Sequence, residues 1–179
     1  MAGGGGGKAF AEVVNKRGSD DSLIVAASAA TATRLAQGAY PGNSMDQVKW
    51  VGTIGADYGV IAVAGDSDVV TLGELLENLK TKPRKWVIGG GSAVGGWDHL
   101  KVLMAAKEYG ISNVRKIKYV SFDGGGDAVT QLLAGNVQIF TGDVSEIKGF
   151  VDAGDIKIIA VLSPERLPGD FSKFYTAKE

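Results

Sequence analysis

The chain has 179 residues, of which 45% are hydrophobic and 22% charged, and its formal net charge is -1. This composition is typical of a globular protein with one domain or two small lobes, and the scattered lysines and arginines argue against a nucleic-acid partner, which needs a basic stripe. Cysteine is absent and His99 is the single histidine, which excludes thiol catalysis, zinc–thiolate sites and His-rich metal sites.

The sequence contains no recognisable membrane or export segment. No stretch is long and apolar enough to span a bilayer. Residues 1–8 lack the charged and apolar regions of a signal peptide. If the protein works outside the cytoplasm, we expect its export signal to lie outside this chain.

Seven short, β-branched segments predict β-strands. They are nearly continuous apolar runs, which favours buried parallel strands covered on both faces. The predicted strands are 23–27, 48–54, 60–64, 86–88, 117–122, 137–140 and 156–162.

Helical patterns lie between these strands. Thr71 and Glu74 form a capping box, and a glycine follows the last turn of each later helix, as expected for a helix end. The predicted helices are 8–16, 72–79, 97–109, 127–134 and 145–153. The alternation from Val69 to Leu162 predicts an α/β fold with a mostly parallel sheet.

Both ends of the chain differ from its middle. Residues 3–64 contain too few helical patterns to cover a sheet, which predicts an incomplete first lobe. Residues 164–179 have the composition of a loop without a stop signal, and we interpret them as a chain cut short.

The strongest local motif is a glycine-rich loop after the strand at 86–88. Five of the eight residues in 89–96 are glycine, more than one tight turn requires. Ligands of open α/β sheets bind at the carboxyl ends of strands, and free N–H groups at a helix start attract anions. We interpret the loop as a cradle for a carboxylate or phosphate, with Ser92 as a hydroxyl donor. A turn that needs glycine dihedrals is the alternative.

Two further strand ends repeat this pattern. Gly124 and Gly125 follow the strand at 117–122 and open a helix. If parallel strands place this loop beside 89–96, two helix starts converge on one crevice and suit a negatively charged ligand. At the third strand end, Asp143 either caps a helix or faces the ligand.

Other candidate residues have weaker signals. Tyr58 lies between two strands and could face a cleft. Ser28 and Thr31 belong to a hydroxyl-rich stretch that could bind a carboxylate or form an N-cap. Asp98 lies in the first turn of a helix, where the dipole favours it, and we interpret His99 as a structural hydrogen-bonding residue rather than a catalyst.

Nucleotide-binding motifs are incomplete. Val94 stands where the third glycine of a dinucleotide fingerprint belongs. Gly7 and Lys8 resemble the end of a P-loop, but Ala9 replaces the hydroxyl residue that holds magnesium, and no strand precedes. A P-loop nucleotide binder stays a minor alternative.

The ordered set of motifs resembles the substrate-binding subunits of tripartite tricarboxylate transporters, also called Bug proteins. The resemblance covers nearly the whole chain and rests on the ordered set of segments rather than on any single motif; it includes the aspartate–histidine–leucine run after the first glycine loop. The similar segments are 3–7, 89–100, 119–125, 131–137, 153–157 and 163–169.

The resemblance implies a type II periplasmic-binding-protein-like fold of two lobes with mostly parallel sheets, the first lobe being incomplete. It implies hinge closure on a small organic acid, with no catalysis, no metal and no other cofactor. The implied parts are a partial first lobe with a hinge strand at 1–67, a second lobe at 68–156, and a return strand with a truncated first-lobe segment at 157–179. The protein is then a periplasmic monomer that delivers a di- or tricarboxylate, or a similar small acid, to the membrane subunits of the transporter.

We predict twelve ligand-binding residues, most of them in the three loops at strand ends. They are Ser28, Thr31, Tyr58, Gly91, Ser92, Gly95, Gly96, Asp98, Phe122, Gly124, Gly125 and Asp143.

The chain also departs from the family pattern. Family members are longer at both ends, the first strand with its carboxylate-binding loop is absent, and Trp97 is bulky where smaller residues are common. The bound acid therefore stays open. The alternative function is a cytoplasmic α/β enzyme that binds a phosphorylated or carboxylate substrate on the same loops.

Overall fold

The computed structural model describes residues 4–179, which divide into two compact units, 4–55 and 56–179. The first residue of the predicted glycine-rich stretch at 3–7 lies outside the described residues. The helices are α1 (Gly7–Lys16), α2 (Ala29–Ala36), α3 (Leu72–Thr81), α4 (Trp97–Glu108), α5 (Gly125–Leu133) and α6 (Val144–Ala153). The strands are β1 (Gly59–Ala64), β2 (Val87–Gly90), β3 (Lys118–Ser121), β4 (Ile139–Asp143) and β5 (Ile156–Val161).

The first unit contains α1 and α2, and Tyr40, which follows α2, packs on the start of α1. The Tyr40 hydroxyl donates a hydrogen bond to the Gly5 carbonyl at 2.5 Å, and its ring packs on Gly7 so closely that a Cβ there would lie 2.6 Å from Tyr40 Cδ1. The glycine-rich start of α1 therefore serves the packing of an aromatic ring within this unit.

The predicted strands at 23–27 and 48–54 are wrong. Both segments lack regular secondary structure, and no backbone hydrogen bond joins residues 24–27 or 49–54 to another described residue. Ile24 and Ile54 are 91% and 98% exposed. A strand needs a neighbour for its N–H and C=O groups, and residues 4–55 form none, so a high β-propensity alone does not produce a strand.

The second unit is built on one five-stranded sheet in the order β3-β2-β4-β1-β5. β2 pairs in parallel with β3 and β4, whereas β1 is antiparallel to β4 and β5. Four strands therefore run in one direction, and the predicted mostly parallel α/β sheet is confirmed.

Helices cover both faces of this sheet. Ile61 and Val63 of β1 pack with α3 and α4 on one face, while Val60 and Ala62 pack with α5 and α6 on the other. Because successive side chains of a strand point to opposite faces, a doubly covered strand is apolar at every position. Each large aliphatic side chain buried in these layers contributes roughly 1.5–3 kcal/mol.

The predicted helix ends are also present. The Thr71 side chain accepts from the Glu74 N–H, and the Glu74 carboxylate accepts from the Thr71 N–H, each at 3.2 Å. The glycines after α4, α5 and α6 adopt φ angles of 91°, 75° and 82°, a left-handed conformation that ends a helix with little strain only at glycine.

Residues 164–179, predicted as a loop, fold back beside β5. The Val161 N–H donates to the Tyr175 carbonyl at 2.9 Å, and the Ala177 N–H donates to the Val161 carbonyl at 3.0 Å. The Arg166 guanidinium lies 4.2 Å from the Tyr175 ring centroid and pairs with the Glu179 carboxylate at 2.7 Å. A cation–π contact and a bidentate ion pair thus hold this segment.

Candidate functional site

Three loops converge at the carboxyl ends of the parallel strands. Gly90 of β2 lies opposite Ser121 of β3 and Thr141 of β4, so the loops that follow leave the sheet at one edge. A Cβ on Gly91 would lie 2.5 Å from the backbone nitrogen of Gly125. Only glycine therefore allows the first loop to approach the start of α5 this closely.

Ser92 is held at the centre of the first loop. Its hydroxyl oxygen accepts from the Asp98 N–H at 2.9 Å and so caps α4. Its carbonyl accepts from the Tyr119 hydroxyl at 2.7 Å, and burial raises the pKa of Tyr119 to about 12, which keeps this donor protonated. The Ser92 hydroxyl proton stays available for a ligand, because the capping bond uses only its oxygen.

His99 is a structural residue of the same loop. Its Nδ1 accepts from the Gly95 N–H at 3.0 Å, and its ring stacks on Tyr119 with 4.4 Å between centroids. Burial lowers the pKa of His99, so the imidazole is neutral near pH 7 and serves to fix the loop.

The second loop opens α5 with consecutive glycines. A Cβ on Gly124 or Gly126 would meet no atom within 4 Å, so the backbone at the helix start borders open space on those sides. Gly125 between them is buried. A helix start of this kind leaves N–H groups without partners inside the helix, and these groups favour an anion.

A buried lysine, which sequence analysis missed, organises the third strand end. Lys101 is 5% exposed, and its ammonium donates to Asp98 Oδ1 at 2.9 Å, Gly142 O at 2.8 Å and Asp143 Oδ1 at 2.6 Å. These three bonds use all its protons and join α4 to the end of β4. The Thr141 hydroxyl reinforces this junction by donating to the Asp98 carbonyl at 3.1 Å.

Asp143 begins α6 with the predicted cap geometry. Its side chain accepts from the third residue of the helix, and Glu146 Oε2 accepts from the Asp143 N–H at 2.9 Å. Burial raises the pKa of Asp143, and Lys101 partly opposes that rise. Asp143 therefore caps α6 and forms an ion pair with Lys101.

Glu146 was also missed, although the spacing of Asp143 and Glu146 is that of a capping box and could have identified it. A Cβ on Gly125 would lie 2.2 Å from Glu146 Oε1, and one on Gly142 would lie 2.4 Å from Oε2. Although much of the Glu146 side chain is exposed, burial of its carboxylate raises its pKa. The Glu146 carboxylate therefore lies next to the first residue of α5.

The predicted site residues fall into three groups. Ser28 and Thr31 lie in the first unit, where Ser28 precedes α2 and its carbonyl accepts from the Thr31 N–H at 2.9 Å. Tyr58 and Phe122 lie at the carboxyl edge of the sheet, but both pack against the apolar core beneath α5 and α6. The remaining predicted residues lie where the three loops converge, a region called the crevice from here on: Gly91, Ser92, Gly95, Gly96, Asp98, Gly124, Gly125 and Asp143.

Other features of the second unit lie away from this crevice. A cavity of about 510 Å³ opens beside the amino ends of β2 and β4, with Asp66, Glu74 and Trp86 among its lining residues. Across residues 4–179, no three His, Asp or Glu side chains are grouped so that they could hold a metal ion. Nor is any helix of that range long and apolar enough to cross a membrane.

A doubly covered, mostly parallel sheet with loops converging at its carboxyl edge places the second unit in the class of open α/β folds that bind ligands at the ends of their strands. The chain belongs to the TctC family, described as the tripartite tricarboxylate transporter family receptor, whose model matches residues 3–179. No curated protein matches the chain.

Solved structures of binding proteins share this fold. A TctC solute-binding protein from Polaromonas has a TM-score of 0.69 and 23% identity, over 98% of this chain and 58% of that one. The periplasmic binding protein BugD has a TM-score of 0.69 and 20% identity, over 98% and 56%. MatC from Rhodopseudomonas palustris, with bound malate, has a TM-score of 0.59 and 16% identity, over 68% and 40%. This chain spans little more than half the length of the first two.

Proposed function

We propose that this chain is the ligand-binding part of an extracytoplasmic receptor that captures a small organic acid and does not catalyse a reaction. The observation that carries the proposal is the convergence of the 91–96 loop and the start of α5 at one edge of the sheet. Family membership supports it, as does the malate held by MatC.

The carboxylate of the ligand binds to backbone N–H groups of the two glycine loops and to the Ser92 hydroxyl. Each helix start contributes roughly 0.3–1 kcal/mol to an anion near it, and hydrogen bonds to a charged acceptor add about 1.5–3 kcal/mol each. Lys101 does not contact the ligand in this proposal, because its protons are used by Asp98, Asp143 and Gly142.

The wider biological role follows from the family. We propose residues 68–156 as the second lobe, with 1–67 and 157–179 contributing to the first lobe, and Ser28 and Thr31 as ligand contacts of the first unit. The receptor works in the periplasm as a monomer and delivers its acid to membrane subunits of a tripartite tricarboxylate transporter.

Calorimetric titration of the purified protein at pH 7 tests the proposal, with succinate, malate, citrate, adipate, inorganic phosphate and ATP as ligands. We expect binding of at least one organic acid and none of ATP. Ser92→Ala weakens that binding about tenfold or more, because it removes one hydrogen bond to a charged acceptor. Ser172→Ala, on an exposed turn, leaves the binding unchanged.

Two results contradict the proposal. Binding of phosphate or ATP without binding of any organic acid would favour the phosphorylated-substrate alternative. Turnover of a bound acid that disappears in His99→Ala would favour an enzyme.

A further inference from the structure

We infer that Glu146 selects, among small acids, those that carry a hydroxyl or ammonium group on the carbon next to the bound carboxylate. The inference rests on the proposed function and specifies the class of acid. It states that the crevice recognises a pair of groups: an anion at the start of α5 and a hydrogen-bond donor beside it.

Glu146 lies directly beside the start of α5. Its carboxylate touches the first residue of α5, because a Cβ on Gly125 would lie 2.2 Å from Oε1. The α5 N–H groups and the Glu146 acceptor are therefore side by side. A ligand that meets both must present an anionic and a donating group on adjacent atoms.

Glu146 also has a carboxylate oxygen that can accept a further hydrogen bond. Its Oε2 accepts from the Asp143 N–H at 2.9 Å, whereas within residues 4–179 Oε1 accepts no hydrogen bond. A carboxylate can accept several hydrogen bonds, so Oε1 is free to accept one from a ligand.

The charges around Glu146 favour a hydrogen-bond donor beside it. Lys101 is the cation at this edge, and its three bonds are made to Asp98, Asp143 and Gly142. Asp57 adds another carboxylate, whose oxygens accept from the Ser145 hydroxyl and N–H. Within residues 4–179, no lysine or arginine forms an ion pair with Glu146, so a second ligand carboxylate next to it would be repelled. A hydroxyl or ammonium placed there is attracted.

Matched acids test the inference by calorimetry on the purified protein at pH 7.5. One series is succinate, malate and aspartate, and the other is glutarate, 2-hydroxyglutarate and glutamate; within each, only the substituent beside one carboxylate changes. We expect the hydroxy or amino acid of a series to bind about tenfold or more tightly than the unsubstituted acid, as one charge-assisted hydrogen bond would give.

Glu146→Gln assigns the preference to this residue. Glutamine keeps an oxygen that accepts from the Asp143 N–H but loses the charge, and thermal unfolding checks that the variant folds. We expect the preference to fall below about threefold, since a neutral acceptor binds donors more weakly. Glu108→Gln, at the exposed end of α4, serves as the control and keeps the wild-type preference.

The outcomes separate this inference from the proposed function. Equal binding of substituted and unsubstituted acids by the wild type, or an unchanged preference in Glu146→Gln, overturns the inference and leaves a carboxylate receptor standing. Binding of none of the six acids, nor of citrate or adipate, overturns both.

Discussion

Replacing Lys101 by methionine tests the role of the buried lysine at the floor of the crevice. Methionine has a similar length and fills the space beside Gly59, whose Cβ would lie 2.8 Å from the Lys101 side chain. It leaves Asp98 and Asp143 without their cation, and removing one partner of a buried ion pair costs about 3–5 kcal/mol. The Asp143 side chain is 32% exposed and can be partly rehydrated, so we expect a loss of about 3 kcal/mol.

Urea denaturation followed by circular dichroism measures this loss. For a unit of this size the corresponding fall in Tm is about 10 °C. Lys107→Met, an exposed position on the same helix, is the matched control and changes stability by less than about 0.5 kcal/mol. A loss below about 1 kcal/mol in Lys101→Met would refute the reasoning, because it would mean that the two carboxylates do not depend on the lysine.

Three further predictions follow. Gly91→Ala forces a Cβ against the backbone at the start of α5 and should lower the free energy of unfolding, measured by urea denaturation, by about 1–3 kcal/mol. Gly73→Ala is the control: a Cβ there meets open space inside α3, so the protein should not be destabilised. Burial raises the pKa of Glu146 above its ordinary value of 4.5, so the native state binds this proton more tightly than the unfolded state. The stability of the wild type should therefore fall as pH rises from 4.5 through the folded pKa. Glu146→Gln should not show this fall when unfolding is measured as a function of pH. The pairing with Arg166 lowers the pKa of Glu179 to about 2, and Glu179→Gln should therefore increase hydrogen exchange within 164–179. Unchanged exchange there would mean that the Arg166–Glu179 ion pair does not hold this segment.

The second unit could be predicted well from sequence because its determinants are local or strongly patterned. Thr71 and Glu74 specify the start of α3 within four residues, and the glycine after α6 specifies its end. Strands covered on both faces are continuously apolar, and this pattern is distinct even in the short segment of β1. The loops at strand ends then follow from the parallel pairing itself.

The rest could not be predicted because it depends on distant partners. Residues 23–27 and 48–54 have strand-like compositions but meet no neighbouring strand among the described residues. In the sequence, Lys101 has the features of an exposed lysine on a helix. Its burial depends on the hydrogen bond to Asp143, which lies 42 positions further along the chain. Phe122 directly follows a strand, where ligand-binding residues are expected. Its ring instead packs against Gly89, because a Cβ on that glycine would lie 3.1 Å from Phe122 Cε2.

Chemical-shift mapping of backbone amides tests the central claim most directly. On addition of the organic acid that gives the largest calorimetric signal, we predict that the largest amide shifts in the second unit fall on residues 91–98 and 124–127. Shifts centred instead on the cavity beside Asp66 and Trp86, with none at the two glycine loops, would contradict the account.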